Sequence, residues 1–196
     1  PFRLPLPPVG YQVEYIDLNG DGKPDAIKSV TVNDTPILWL DDDTNMKEGD
    51  IEGDMINESV FFCDNFYNIT CVSMGNPNCV VMMEEISKNK ALHLGPYVEN
   101  SKYFPNRINM QLCHVVDREN IQIEIYERGA GYTYASGTGA CAAASAAHKL
   151  GLVGNCVKVH MQGGDLLVEF AEDDRVFMTG PVVYIGSITL AENFFV

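Results

Sequence analysis

The chain has 196 residues, 46% of them hydrophobic and 20% charged, a balance that suits one large or two small globular domains and speaks against disorder. A formal net charge of -14 leaves nothing to neutralise phosphates, which argues against a nucleic-acid partner. No apolar run reaches the ~18–20 residues of a membrane-spanning helix and no signal peptide opens the sequence, so a cytoplasmic protein without a membrane role is expected.

Charge is unevenly placed. Residues 1–57 hold four Lys/Arg and twelve Asp/Glu, whereas the other 139 hold nine and fifteen. That shift predicts a small acidic β-hairpin segment, 1–57, followed by a larger domain, 58–196. The start at Pro1, without Met, suggests that something precedes the chain or was removed from it. Residues 1–8 carry four prolines and read as an extended lead-in. Tyr11–Ile16 and Ala26–Val32 read as strands by their alternation, and Pro36–Leu40 as a third. Between the first two, Asp17, Asn19, Asp21, Gly22 and Asp25 have the D-x-N-x-D-G-x-x-D spacing of a calcium loop. Hard oxygen ligands at alternate positions and a glycine for the sharp turn are what Ca²⁺ needs. Lys28 stands where an EF-hand carries its bidentate glutamate, so the loop is not an EF-hand. Asp17, Asn19, Asp21 and Asp25 are candidate calcium ligands, with an Asx-rich turn that caps its own backbone as the competing reading. The run Asp41-Asp42-Asp43 reads as a solvated loop.

The texture changes near residue 60. Tyr67–Ser73 and Cys79–Met83 look like strands around the turn Met74–Asn78, and a short helix is predicted over Glu84–Leu94. Ile108–Val116 and Ile121–Tyr126 read as strands. Ala140–Leu150 is alanine-rich and ends at Gly151, which predicts a helix with a glycine just past its end. Val157–Met161, Leu166–Phe170 and Val176–Met178 read as strands, with a hairpin turn at Gln162–Asp165. A mostly antiparallel sheet wrapped around one buried Ala-rich helix fits this pattern. The six cysteines show neither C-x-x-C pairs nor zinc-finger histidines and read as free thiols. Cys63, Cys71, Cys113 and Cys156 are expected to be buried and inert, and Phe61, Phe62, Phe66 and Tyr67 to be core. His148 reads as an exposed residue at a helix C-terminus and His160 as structural.

The stretch from Tyr126 to Ala142, Y-E-R-G-A-G-Y-T-Y-A-S-G-T-G-A-C-A, carries the chemistry. It is a strand, a glycine-loosened turn and a helix start. Backbone N–H groups at Gly137, Thr138 and Gly139, together with the helix dipole, make a site for a carboxylate or phosphate. No Gly-Lys-Ser/Thr follows, so it is not a Walker loop. The stretch resembles the diaminopimelate epimerase motif in which Glu-Arg-Gly-x-Gly-x-Thr leads to Ala-Cys-Gly-Thr-Gly-Ala. Further matches to that family follow in its order: Ser73–Cys79, Leu94-Gly95-Pro96, Phe104–Asn109, Gly163–Leu166 and Met178–Pro181.

The resemblance covers residues 58–196 and implies an α+β half-domain and a cofactor-independent amino-acid racemase. In that family two cysteines flank the substrate α-carbon, one as thiolate base and one as thiol acid. The resemblance implies Ser136 at the position of the second cysteine, Gly137 and Thr138 as backbone ligands of the α-carboxylate, and Glu127 and Arg128 on the amino and carboxylate groups. It implies Asn76 and Asn109 as amide contacts to the far end of the substrate, with diaminopimelate the default and lysine synthesis the setting. Ser136 departs from the family, because a hydroxyl is a far poorer proton carrier than a thiol near neutral pH. Cys141 lies five residues further along, about 140° round the helix and ~7.5 Å up, where it cannot take over. Asn78 stands where the family usually has histidine. The family's N-terminal half, with its other cysteine, is not recognised in residues 1–57. The expected function is therefore an epimerase impaired at Ser136, completed by an N-terminal half or a second chain. The alternative is a non-catalytic, calcium-stabilised binding module on a racemase-derived scaffold.

Overall fold

The computed structural model describes residues 11–16, 26–32, 38–39, 55–63, 65–172 and 175–186, with side chains from residue 55 onward. The candidate calcium loop, residues 17–25, lies outside the described residues. In chain order the strands are β1 (Tyr11–Ile16), β2 (Ala26–Val32), β3 (Leu38–Trp39), β4 (Glu58–Phe62), β5 (Asn65–Ser73) and β6 (Pro77–Met82). Helix α1 (Lys88–Glu99) follows, then β7 (Asn109–Val115), β8 (Asn120–Glu127) and β9 (Gly131–Thr133). Helix α2 (Gly137–Lys149) precedes β10 (Cys156–Met161), β11 (Gly164–Phe170) and β12 (Val176–Pro181).

All twelve strands among the described residues join one sheet in the order β1-β2-β12-β11-β10-β8-β7-β6-β5-β3, with β4 on β5 and β9 on β8. Pairing is antiparallel except at β6/β7 and β8/β10. The β1/β2 hairpin of the acidic segment is hydrogen-bonded to β12, and β3 to β5.

Successive residues of a strand face opposite sides of a sheet, and the central strands bury both. Ile69 and Cys71 of β5, Cys79 and Val81 of β6, and Met110 and Leu112 of β7 pack with Ala91, Leu94 and Val98 of α1. Their neighbours Val72, Val80 and Cys113, with Ile121, Ile123 and Ile125 of β8, pack with α2. That two-sided burial accounts for the consecutive buried residues of β5 and β6, whereas β8 alternates, with Gln122 exposed and Glu124 half-buried. Every residue of α2 from Gly139 to Ala147 is buried, as expected of a helix apolar all round. Alanine lets sheet backbones approach it from several sides. No described helix is long and apolar enough to cross a membrane.

Several local expectations are corrected. The first helix starts later than Glu84 and runs past Leu94. Ser87 caps it, its Oγ accepting from Lys90 N at 3.2 Å, and Pro96 is accommodated in the last turn, where its missing N–H leaves one bond unmade. Phe61 and Phe66 are not core. They lie 48% and 67% exposed and meet edge to face at 5.1 Å, while Phe62, pointing to the other side of β4, is buried. His148 is half-buried, stacked on Phe170 at 4.3 Å.

All six cysteines are thiols, but Cys156 is exposed and Cys63 half-buried, against the expectation of inert burial. Partial desolvation, then the carboxylates of Glu169 and Glu119, raise the Cys156 thiol above its usual range. Because the thiolate is the nucleophile, alkylation of folded protein by iodoacetamide should be slow at neutral pH, accelerate as pH rises, and fall on Cys156 first. Cys113 and Cys141, pushed up to about 12 by burial, should react only after unfolding; mass mapping of the labelled residues checks both points.

Candidate active site at the start of the second helix

Strand directions bring the sequence-predicted residues to one end of the sheet. Strands β6 and β7 are parallel, with Asn78 opposite Asn109, so both begin there. Strand β8 is antiparallel to β7, so it ends there, at Glu127. Helix α2 starts there too, since Asn76 Nδ2 donates to Thr138 Oγ1 at 3.3 Å. Asn76, Asn109, Glu127, Arg128, Ser136, Gly137 and Thr138, far apart in sequence, thus share one corner of the fold.

The corner is tied together by side-chain hydrogen bonds. Asn109, 7% exposed, donates from Nδ2 to Pro77 O at 3.0 Å and accepts from Arg128 N at 2.9 Å, tying β6 to the end of β8. Its amide is therefore already engaged in the scaffold at both ends. Arg128 is exposed and donates to Asn106 O at 3.0 Å. Glu99, which the sequence reading missed, closes α1 against this turn. Its Oε1 accepts from Gly129 N at 2.8 Å and from Arg107 Nη1 at 3.1 Å. Arg107 is half-exposed, so the ion pair itself adds little. Glu99→Ala should still cost about 2 kcal/mol in urea unfolding, because a buried acceptor that orders a turn is lost; Glu99→Gln should cost less than half as much.

At α2 itself, Ser136 is the N-cap, in an extended conformation, and its Oγ accepts from Gly139 N at 3.2 Å. Ser136 O accepts from Ala140 N at 2.9 Å. The first helical N–H groups, those of Gly137 and Thr138, have no partner within a helix, and no acidic side chain occupies the first turn. The positive end of the helix dipole is thereby left for an anion. Small residues are required here. A Cβ on Gly139 would lie 3.0 Å from Gln111 Nε2, and one on Gly163 2.9 Å from Tyr134 O. Gly163 N donates to that same oxygen at 2.7 Å, pinning the segment before Ser136 to the β10–β11 turn.

Two further polar groups flank the corner without a sequence signal of their own. Tyr132 OH bonds the Glu124 carboxylate at 2.5 Å, and burial, reinforced by that carboxylate, raises the phenol above its ordinary range. Lys88 Nζ sits over the Tyr132 and Tyr134 rings at 5.0 and 5.5 Å. Cys141 is buried among the core residues of α2 and is no proton carrier at this site. Gln111 could have been noticed: it is a wholly buried amide where the alternation of β7 calls for a core residue.

Residues 70–185 match the family described as diaminopimelate epimerase. The chain is 39% identical to "Diaminopimelate epimerase 2" of Nostoc sp. over 171 residues, covering 87% of this chain and 59% of that protein. That extent exceeds residues 58–196, so part of the acidic segment is matched as well. Against the diaminopimelate epimerase of Moorella thermoacetica the identity is 45% over 117 residues, 59% of this chain and 42% of that one. Among solved structures, a probable proline racemase from Agrobacterium radiobacter shares the fold, with a TM-score of 0.60 at 15% identity over 89% of this chain and 56% of that one. The chain thus spans about half the length of these relatives. By the extent of the family match and the order of its motifs, the chain belongs to the diaminopimelate epimerase family.

Proposed function

We propose that the chain forms one half of the cleft of a cofactor-independent amino-acid epimerase acting on diaminopimelate, interconverting the LL and meso forms for lysine synthesis. The observation that carries this reading is the start of α2, where Gly137 and Thr138 present unpaired N–H groups beside Ser136. An α-carboxylate docked on those donors has its α-carbon near the Ser136 side chain. Charge that builds on the carboxylate as the α-proton leaves would be stabilised by donors already in place. Glu127 and Arg128 would hold the amino and carboxylate groups, and Asn76 and Asn109 would meet the far end through the second amide hydrogen or lone pair that their scaffold bonds leave. The opposing proton carrier would come from the remainder of a longer polypeptide or from another chain.

A second reading has its own support. Ser136 Oγ is committed to capping α2, a role in which serine is among the preferred residues and a thiol is not. On this reading the corner binds an amino acid without moving its proton. Incubation with diaminopimelate in deuterated solvent separates the two: α-deuteration supports the epimerase, and binding with no deuteration at any pH supports the binding module.

A further inference from the structure

We propose that Gln111 and Asn78 are positioning residues that aim the Thr138 hydroxyl at the substrate carboxylate through a one-way chain of side-chain hydrogen bonds. This rests on the reading of α2 as the carboxylate site. Gln111 and Asn78 are both wholly buried. Asn78 Nδ2 lies 2.8 Å from the main-chain oxygen of Asn76, which can only accept, so the orientation of the Asn78 amide is fixed. Its Oδ1 is thereby turned to Gln111 and accepts from Nε2 at 3.1 Å. Asn78 Nδ2 also reaches Asn76 Oδ1 at 3.2 Å, which turns Asn76 Nδ2 toward Thr138 Oγ1 at 3.3 Å. In the series Gln111, Asn78, Asn76, Thr138 each donor is directed to the next member, and a hydroxyl that accepts from Asn76 keeps its own proton to give to a ligand. Bonds aligned head to tail polarise one another, which strengthens the last donor.

At the far end, Gln111 Oε1 is buried and accepts no hydrogen bond from the described residues. An amide kept in the core with its oxygen unsatisfied is poor for stability, which points to a role in the site. The departure at Asn78 fits the same scheme. A neutral imidazole offers one acceptor and one donor on different ring atoms, so the family's histidine can take from Gln111 and give to Asn76 as this asparagine does.

The test is NMR of the ¹⁵N-labelled chain, following the Asn76 side-chain amide and titrating diaminopimelate. Gln111→Met, nearly isosteric and apolar, should fold with about the stability of the parent, because it removes the orphaned Gln111 Oε1 while leaving Asn78 Oδ1 without its donor, one unsatisfied acceptor replacing another. It should move the Asn76 side-chain signal, with which Gln111 shares no bond, and weaken binding about tenfold, the scale of one hydrogen bond to a charged group. Asn78→Leu should do the same, and Asn78→His should recover most of that loss. An unmoved Asn76 signal in Gln111→Met, or equal binding by Asn78→Leu and Asn78→His, would overturn the relay. If the parent chain binds no diaminopimelate, the epimerase reading fails, and the Asn76 signal still decides whether the relay exists.

Discussion

Ser136→Cys is expected to raise α-proton exchange on diaminopimelate by about a hundredfold or more, within the range that a well-placed general acid or base supplies. Position 136 is half-buried at the lip of α2, next to the free N–H groups of Gly137 and Thr138. A thiol with a reference pKa of about 8.5 is lowered further at a helix N-terminus and can carry a proton near neutral pH. A hydroxyl cannot. The same substitution removes the oxygen that accepts from Gly139 N, which should cost about 1 kcal/mol of stability. Activity and stability therefore move in opposite directions. If Ser136 is only a cap, the stability falls and no exchange appears. Cys141 gives an internal control, since Cys141→Ala in the Ser136→Cys background should leave exchange unchanged. Deuterium incorporation by NMR and urea unfolding read the two effects separately.

Gly95→Ala is expected to destabilise the fold by about 3 kcal/mol, the upper part of the usual range for overpacking. In an ordinary helix interior the same change stabilises by about 1 kcal/mol, so even the sign is diagnostic. Gly95 lies in α1, buried against the Tyr126 ring. A Cβ there would stand 2.2 Å from Cγ, 2.4 Å from Cδ2 and 2.7 Å from Cδ1. These atoms sit at the root of the ring, where rotation of the side chain gives no relief. The helix must lift from β8, and Tyr126 directly precedes Glu127 and Arg128. In urea unfolding, Gly95→Ala combined with Tyr126→Ala should cost clearly less than the sum of the single changes. Simple additivity would show that the contact is not the cause.

The Leu94-Gly95-Pro96 motif shows how much the sequence disclosed and where it stopped. It was visible as a landmark, but its reason is a close approach between a helix and a strand 31 residues further on, which no local pattern encodes. Strands with clean boundaries, such as β1, β2 and β10, were legible because alternation and flanking turn residues agree. The early part of α1 was misplaced because Glu84 and Glu85 have good helix propensity, whereas Ser87 offers the cap that sets the true start. Strand β4 escaped notice because its outward face carries Phe61, which imitates a core position. At the site, the glycine-rich turn and Ser136 were plain from the motif. The engagement of Asn109 within the scaffold and the buried amides of Asn78 and Gln111 were not, because they depend on which strands lie side by side.

The most direct test of the corner at α2 is a titration of the ¹⁵N-labelled chain with diaminopimelate, following backbone amides. Saturable shifts at Gly137 and Thr138, lost when the α-carboxylate is converted to an amide, are the expected result. Shifts that never saturate, or that fall elsewhere on the sheet while Gly137 and Thr138 stay still, would contradict the assignment of this helix start as the substrate site.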